Sequence, residues 1–258
     1  MNDLPDIFDL KGSVAVVTGA SSGIGVQFAK ALAIKGCDLA LLARRLEKLN
    51  DVAAEVRKYG VRCETYQCDV TSTENVNAVA EQVKKDFGTM HILINNAGGN
   101  GGMDPIENLS DKDWNFVLDL NLTSIMKVSR AFGPMMIEQK YGRVINVASM
   151  FGMVGSALNC SAYHATKAAV CNLSRSMAAD WAKHQITVNS LCPGFFLSEL
   201  TGDLLETDDF QAFIKSKCPS ERQGNVGELD SAVLFLASKQ SGYVTGITLP
   251  VDGGWTCV

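Results

Sequence analysis

Short apolar segments alternate with longer amphipathic segments along the whole chain, and this alternation strongly limits the possible folds. Seven short runs have the length and aliphatic content of strands: residues 13–18, 38–43, 63–68, 91–95, 143–148, 186–191 and 247–251. Several are almost wholly apolar, which is typical of strands covered on both faces in a parallel sheet. The sequence therefore predicts an α/β fold, a doubly wound sheet of seven mainly parallel strands with helices on both faces.

The segments between these strands place apolar residues at helical spacing. The predicted helices are residues 24–35, 74–87, 113–139, 157–184 and 228–238. No repeat, low-complexity tract or linker divides the chain, so residues 1–258 are expected to form a single domain. Residues 195–213 read as a mostly helical segment, and we expect a mobile substrate lid around residues 195–215.

Net charge and cysteine pattern limit the partners and the location. With a formal net charge of −5, the chain is not expected to bind nucleic acid or an anionic membrane. No apolar run is long enough to span a bilayer, and residues 1–9 carry three aspartates where a signal peptide would have an apolar block. The eight cysteines include no C-x-x-C pair and the three histidines are dispersed. We therefore expect reduced thiols, a cytoplasmic location and no metal site.

A glycine-rich loop follows the first predicted strand directly. It spans residues 18–25, with the spacing G-x-x-x-G-x-G, and a helix follows it. Such glycines permit a tight turn and a close approach of the backbone to pyrophosphate, and the helix N-terminus offers unpaired N–H groups. The loop predicts a dinucleotide site that uses Gly19, Ser21, Ser22, Gly23, Ile24 and Gly25.

The end of the second predicted strand indicates which dinucleotide is bound. NAD sites often carry an acidic residue there, which binds the ribose 2′-hydroxyl. This strand ends instead in Ala43, Arg44 and Arg45. A carboxylate would repel a 2′-phosphate, whereas a guanidinium pairs with it. The sequence therefore favours NADP(H) over NAD(H).

Tyr163 and Lys167 lie four residues apart in a predicted helix, and Ser149 precedes them just after a predicted strand. Residues four apart share a helix face, so the ammonium of Lys167 can lie beside the phenol of Tyr163. A free tyrosine has a pKa of about 10. Because a neighbouring positive charge favours the phenolate, we expect Lys167 to lower the pKa of Tyr163.

In their order along the chain, these motifs resemble the short-chain dehydrogenase/reductase family over nearly the full length. The matching residues are the loop at 18–25, residues 95–98 (Asn-Asn-Ala-Gly), Asn121, Ser149, Tyr163, Lys167, Pro193 and Gly194. The resemblance implies a Rossmann-type sheet, usually in a homotetramer. It also implies hydride transfer between a nicotinamide and a carbonyl or alcohol carbon of a small molecule.

The resemblance also implies a role for each catalytic residue. Tyr163 would be the general acid in reduction and the general base in oxidation. Lys167 would lower the pKa of Tyr163 and bind the nicotinamide ribose. Ser149 would hold the substrate oxygen, and Asn121 would help to place a water that links Lys167 to solvent.

The remaining implied residues contact the cofactor. Asp69 and Val70 would lie at the adenine. Asn96, Ala97 and Gly98 would line the adenosine ribose. The loop after the sixth strand would meet the nicotinamide, through Pro193, Gly194, the backbone of Phe196 and the hydroxyl of Ser198.

The substrate is less constrained. Residues 95–100 and 241–246 are similar to family members of the gluconate 5-dehydrogenase type, which act on sugar acids and polyols. Two alternatives remain open. One is reduction of a 3-oxoacyl thioester, and the other is hydroxysteroid or small-ketone reduction. Arg222 and Gln223 either reach a substrate carboxylate or are simply exposed.

Two further alternatives belong to other functional classes. A dinucleotide sensor without turnover would have the same fold, although such proteins typically lose the tyrosine or the lysine. His164, next to Tyr163, suggests a Ser-His-Asp hydrolase. Adjacent helix positions point about 100° apart, so His164 is expected to face away from the site. Ser149 also lacks the G-x-S-x-G context of such enzymes.

Overall fold

The computed structural model describes residues 6–198 and 201–258, apart from the side chains at 203 and 204. The described chain is a single α/β domain, as predicted. Its seven strands form one parallel sheet in the order β3-β2-β1-β4-β5-β6-β7. The strands are β1 (Val14–Thr18), β2 (Asp38–Ala43), β3 (Cys63–Gln67), β4 (Ile92–Asn95), β5 (Gly142–Val147), β6 (Ile186–Pro193) and β7 (Thr248–Val251).

Helices cover both faces of this sheet. They are α1 (Gly23–Ile34), α2 (Leu46–Arg57), α3 (Thr73–Phe87), α4 (Asp111–Leu118), α5 (Ser124–Gln139), α6 (Ser161–Trp181), α7 (Gly202–Leu205), α8 (Asp208–Lys217) and α9 (Asp230–Ala237). Among the described residues, no helix is both long and apolar enough to cross a membrane.

Alternate residues of the central strand enter two different cores. In β1, Ala15 and Val17 pack with residues of α1, α2 and α9, whereas Val14 and Val16 pack with residues of α3, α5 and α6. Phe28 of α1 fills the first core and Phe132 of α5 the second, and both are fully buried. The period of two explains why the predicted strands read as continuous apolar runs.

The strand order reverses beside β1, which pairs with β2 on one side and with β4 on the other. Val16 lies opposite Ala40 of β2 and opposite Leu93 of β4. In open parallel sheets, ligands bind outside the carboxyl ends of the strands at such a switch point. The topology therefore places the candidate site at the ends of β1, β4, β5 and β6.

Some predicted boundaries were wrong. Residues 113–139 are not one uniform α-helix, because a π-helical turn, Asp119–Thr123, separates α4 from α5. The helix predicted from residue 157 begins only at Ser161, since Asn159 has a φ of 51° and Cys160 a non-helical ψ of 49°. The prediction also lacked α2.

The predicted lid segment contains two short helices, α7 and α8. Residues 199 and 200, which belong to the predicted lid, lie outside the described residues. Thr207 caps α8, because its side chain accepts a hydrogen bond from the N–H of Phe210. The mobility of the lid remains a prediction.

Candidate active site

One cavity of about 470 Å³ opens at the carboxyl ends of the central strands. It brings together every predicted site residue except Gly25 and Asn121, which lie behind its wall. Its lining includes Gly19, Ser21, Ser22, Gly23, Ile24, Arg44, Arg45, Asp69, Val70, Asn96, Ala97, Gly98, Ser149, Tyr163, Lys167, Pro193, Gly194, Phe196 and Ser198. Residues far apart in sequence thus share one cavity.

Two loop glycines sit where no side chain fits. Gly19 has a φ of 66°, and a Cβ there would lie 2.9 Å from the Cα of Ala97. A Cβ on Gly25 would lie 2.4 Å from the carbonyl oxygen of Gly19. The first glycine lets the loop lie directly against Asn96 and Ala97, and the second lets α1 pack closely against the loop.

Thr18 joins the glycine loop to the segment after β4. Its Oγ1 accepts hydrogen bonds from the backbone N–H groups of Asn96 and Ala97, each at 3.0 Å. The Asn96 side chain returns a bond to the carbonyl oxygen of Thr18 at 3.0 Å. These bonds fix the two loops against each other, so the floor of the cavity is rigidly built.

Arg45 lies over the serines of the glycine loop. Its Nη2 donates to Ser22 Oγ at 2.9 Å and to Ser21 Oγ at 3.3 Å. Arg44 is exposed and lines the same end of the cavity. This end therefore combines two cations with two hydroxyls, a donor set that suits a phosphate group.

Asp69 closes the opposite side of this end through a tight turn. Its Oδ1 accepts from the hydroxyl of Thr71 at 2.7 Å and from the backbone N–H of Thr71 at 2.9 Å. The hydroxyl first, and then the N–H, hold the pKa of the Asp69 carboxyl below its usual value. Asp69 is therefore a carboxylate at neutral pH.

Asn121 lies in the π-helical turn and is fully buried. Its Oδ1 accepts from the N–H of Gly99 at 2.9 Å, and its Nδ2 donates to the carbonyl oxygen of Gly99 at 2.8 Å. Nδ2 also lies 3.2 Å from Thr166 Oγ1 on α6. The π-helical turn thus places the Asn121 amide where it bonds both Gly99 at the cavity rim and Thr166 on α6.

Ser149, Tyr163 and Lys167 form the deep end of the cavity. Ser149 Oγ accepts from the N–H of Phe151 at 3.1 Å and is hydrogen-bonded to the phenol of Tyr163. Lys167 is buried, and its Nζ donates to the carbonyl oxygen of Val147 at 2.8 Å. The same Nζ lies 5.5 Å from the centre of the Tyr163 ring.

The expected effect of Lys167 on Tyr163 is not found in this structure. Burial raises the pKa of Tyr163 to about 12, and the hydrogen bond to Ser149 opposes this rise only partly. Burial also lowers the pKa of Lys167 to about 8. Because burial disfavours the charged form of both groups, Tyr163 is a protonated phenol at neutral pH.

His164 faces away from these residues, as expected. Its Nε2 lies 3.0 Å from Ser156 Oγ, and its Nδ1 lies 2.9 Å from the carbonyl oxygen of Cys160. The imidazole stacks on Phe151 at 4.7 Å between ring centres. This histidine therefore ties a loop to α6 and is not paired with Ser149 as a hydrolase would require.

The chain is similar to known proteins over nearly all of its length. The family model described as enoyl-(acyl carrier protein) reductase matches residues 19–256. The gluconate 5-dehydrogenase of Gluconobacter oxydans is 37% identical over 252 residues, which are 98% of each chain. A short-chain type dehydrogenase/reductase from Mycobacterium marinum is 35% identical, with a TM-score of 0.93 over 98% of this chain and 99% of that one.

The chain belongs to the short-chain dehydrogenase/reductase family. Its members are dehydrogenases and reductases that act on CH–OH groups, so the chain is an oxidoreductase. A gluconate 5-dehydrogenase from Burkholderia cenocepacia, solved with NADP and tartrate, is 34% identical to it. The TM-score is 0.93, and 98% of each chain is covered.

Sequence reasoning missed several residues that line the cavity of this short-chain dehydrogenase/reductase. The clearest is Thr201, whose Oγ1 donates to the carbonyl oxygen of Phe196 at 2.6 Å and accepts from the N–H of Ser198 at 3.1 Å. No motif spacing marks it. The others are Ala43, Cys68, Gly99, Leu120, Val147 and Ala148.

Aromatic side chains join the lid segment to the chain end. Phe195 meets Phe210 of α8 at 5.1 Å and Trp255 at 5.3 Å between ring centres. Phe151, which neighbours Ser149, lies 5.8 Å from Phe195. These rings form one aromatic cluster that ties α8 and the loop after β6 to Trp255.

Arg222 is not a free cation in this structure, because its guanidinium is paired with a carboxylate. It forms a bidentate pair with Glu228, at 2.7 Å from Nη1 and 2.8 Å from Nη2. Both side chains are partly exposed, so the pair contributes little to stability. Of the two interpretations of Arg222, a partner for a substrate carboxylate is the less favoured one.

Proposed function

We propose that this chain is an NADP(H)-dependent oxidoreductase that interconverts a secondary alcohol and a ketone, with a sugar acid or polyol as substrate. The observation that carries the proposal is a single cavity that is lined both by Ser149, Tyr163 and Lys167 and by the glycine-rich loop. A dinucleotide sensor would not need the serine, tyrosine and lysine together in one cavity. The gluconate 5-dehydrogenases among the relatives support the substrate class.

The chain fits a dinucleotide phosphate at one end of the cavity. Gly19 lines this end without a side chain, and the N-terminus of α1 follows within the same loop. Arg44 and Arg45 would hold a 2′-phosphate, and Asp69 and Val70 would flank the adenine. The NADP in the related Burkholderia structure supports NADP(H) as the cofactor.

The remaining cofactor contacts are assigned in the same way. Asn96, Ala97 and Gly98 would line the adenosine ribose, and Lys167 would bind the nicotinamide ribose. Lys167 Nζ reaches this part of the cavity, because it would lie 3.3 Å from a Cβ on Gly98. The nicotinamide would lie against Pro193, Gly194, Phe196 and Ser198.

The proton chemistry belongs to Ser149 and Tyr163. Ser149 Oγ accepts the N–H of Phe151, and its hydroxyl, bonded to the Tyr163 phenol in this structure, would rotate to donate to a substrate oxygen. Tyr163, protonated at neutral pH, would donate its phenolic proton to that oxygen in reduction and take it back in oxidation. The nicotinamide, when bound, supplies or accepts the hydride.

Lys167 and Asn121 would assist this proton transfer without donating a proton to the substrate themselves. A charged Lys167 would stabilise the phenolate left after proton donation by Tyr163. Asn121 positions Gly99 and α6 through its amide, and would help to place a water beside Lys167. The proposed catalytic set is therefore Asn121, Ser149, Tyr163 and Lys167.

An uncharged polyol or ketose is the second candidate substrate within this class. Residues 98–111 and 194–214, which border the substrate side, contain no lysine or arginine. The nearby Arg222 is paired with Glu228. A substrate carboxylate buried there without a partner cation would carry a desolvation cost of several kcal/mol.

The test is NADPH- and NADH-linked turnover of matched substrates. The panel comprises 5-ketogluconate, an uncharged ketose of equal chain length, and a 3-oxoacyl thioester. We expect turnover of the sugar acid or the ketose, and their ratio decides between the two candidates. Turnover of the thioester alone, or NADPH binding with no turnover of any carbonyl, would overturn the proposal.

Replacing Arg44 or Arg45, which line the cavity beside the glycine loop, tests the preference for NADPH over NADH. Arg44→Ala and Arg45→Ala are each expected to weaken NADPH binding roughly tenfold or more, because a charge-assisted hydrogen bond is lost. NADH binding should change little. Lys58→Ala, at the far end of α2, is the charge-matched control. Equal losses for NADPH and NADH in titrations would show that neither arginine reads the phosphate.

We further propose a cytoplasmic homotetramer with a lid at residues 195–215 that closes over the substrate. Family resemblance supports the tetramer. Large apolar side chains on the surface of one chain are consistent with it: Ile34, Phe116, Met126 and Tyr243 are all exposed. The net charge of −5 favours neither nucleic acid nor an anionic membrane as a partner.

A further inference from the structure

Two cysteines behind the cavity form a buried thiol pair. Cys171 on α6 and Cys192 on β6 lie with their sulfurs 3.8 Å apart, within hydrogen-bond distance for thiols. Both side chains are buried, in one small cluster with Ile125, Ala148 and Val170. The proposed mechanism uses neither thiol.

The two cysteines are close along the chain to residues that line the candidate active site. Cys171 comes four residues after Lys167, which is one helical turn, and Cys192 directly precedes Pro193. Ala148, which packs in the thiol cluster, also lines the cavity. A change in the distance between the two sulfurs would therefore displace the walls of the site.

The two sulfurs differ in reactivity. Donation by the Cys192 thiol lowers the pKa of Cys171, and the Arg175 charge adds to this effect. The same hydrogen bond raises the pKa of Cys192. Since the thiolate is the reactive form, Cys171 would be the nucleophile of the pair and Cys192 the resolving thiol.

We propose that Cys171 and Cys192 are a redox modification site, which hydrogen peroxide converts into an intrachain disulfide that reversibly inactivates the protein. The Cys171 thiolate attacks a peroxide oxygen, the O–O bond breaks, and a sulfenic acid and water form. The Cys192 sulfur then attacks that sulfur and a second water leaves. In total, two thiols are oxidised and one hydrogen peroxide is reduced to two waters.

Disulfide formation would bring the sulfurs from 3.8 Å to a bond of about 2 Å and draw α6 and β6 toward each other. Lys167 and Pro193 flank the two cysteines and would shift with them. Displacements of about 1 Å in a catalytic site can cost roughly a hundredfold in rate. The disulfide should therefore weaken both NADPH binding and turnover.

The test treats the full chain, carrying Cys257→Ser to remove the exposed thiol, with hydrogen peroxide. Peptide mapping by mass spectrometry should find Cys171 linked to Cys192. NADPH affinity and turnover should fall roughly tenfold or more and return with dithiothreitol. Mapping and NADPH binding need no substrate, so they remain informative even if the proposed function fails.

Two variants distinguish oxidation of the Cys171–Cys192 pair from oxidation of other cysteines. Cys192→Ala, or Cys192→Ser where alanine prevents folding, should lose the crosslink and leave a dimedone-reactive sulfenic acid at Cys171. Cys160→Ala is the matched control, since Cys160 is buried near Tyr163 but lies against His164, and it should keep the disulfide. Unlinked Cys171 and Cys192 after treatment, or a linked pair with unchanged NADPH binding and turnover, would overturn the proposal.

Discussion

Replacing Tyr163 with phenylalanine is expected to lower turnover by roughly a hundredfold to ten-thousandfold and to leave NADPH affinity nearly unchanged. The substitution keeps the ring and removes only the hydroxyl, which is hydrogen-bonded to Ser149 at the deep end of the cavity. Since the phenol is the proposed proton donor, the chemical step loses its acid. Steady-state kinetics give the turnover, and a fluorescence titration with NADPH gives the affinity.

The control for this variant is Tyr243→Phe, which removes the same hydroxyl from a fully exposed ring away from the cavity. It should leave both turnover and NADPH affinity unchanged. If Tyr163→Phe retained near-normal turnover, Tyr163 would not be the acid. If it lost NADPH binding instead, its role would lie in the cofactor site.

Gly25→Ala should abolish tight NADPH binding and lower the free energy of unfolding by about 1–3 kcal/mol. A methyl group there would lie 2.4 Å from the Gly19 carbonyl oxygen and 2.7 Å from Asn96 Nδ2. The first contact is with backbone, so α1 must move away from the loop that it supports. Titration with NADPH and chemical denaturation measure the two effects.

Gly155→Ala is the steric control, because a Cβ at Gly155 meets no atom within 4 Å. It should leave the free energy of unfolding and NADPH binding nearly unchanged. Normal NADPH affinity in Gly25→Ala would show that the loop tolerates displacement of α1. The glycine would then not be required for the phosphate site.

The sequence predicted the fold well, because burial on both faces of a parallel sheet leaves a strong apolar signal. All seven strands were located to within about two residues. The weaker predictions concerned helix boundaries. Nothing in the polar and apolar pattern of residues 113–139 distinguishes an α turn from the π turn at Asp119–Thr123. Likewise, the late start of α6 depends on a left-handed backbone at Asn159.

The members of the candidate site were also predictable, but their energetics were not. Glycine spacing and the tyrosine–lysine spacing are local signals, so the sequence carries them. The raised pKa of Tyr163 depends on how deeply the phenol is packed. The pairing of Arg222 with Glu228 and the position of Thr201 depend on loop conformation. Such properties arise only after the chain has folded.

The amide of Asn121 has a consequence for how a substrate reaches the site. Gly99 at the rim is bonded to Asn121, which is bonded to Thr166, and Thr166 Oγ1 donates to the carbonyl oxygen of Tyr163. The rim at Gly99 and the backbone of Tyr163 thus belong to one hydrogen-bonded body. Any opening wide enough to admit a sugar must hinge elsewhere, along residues 100–105 or on the side of α7 and α8.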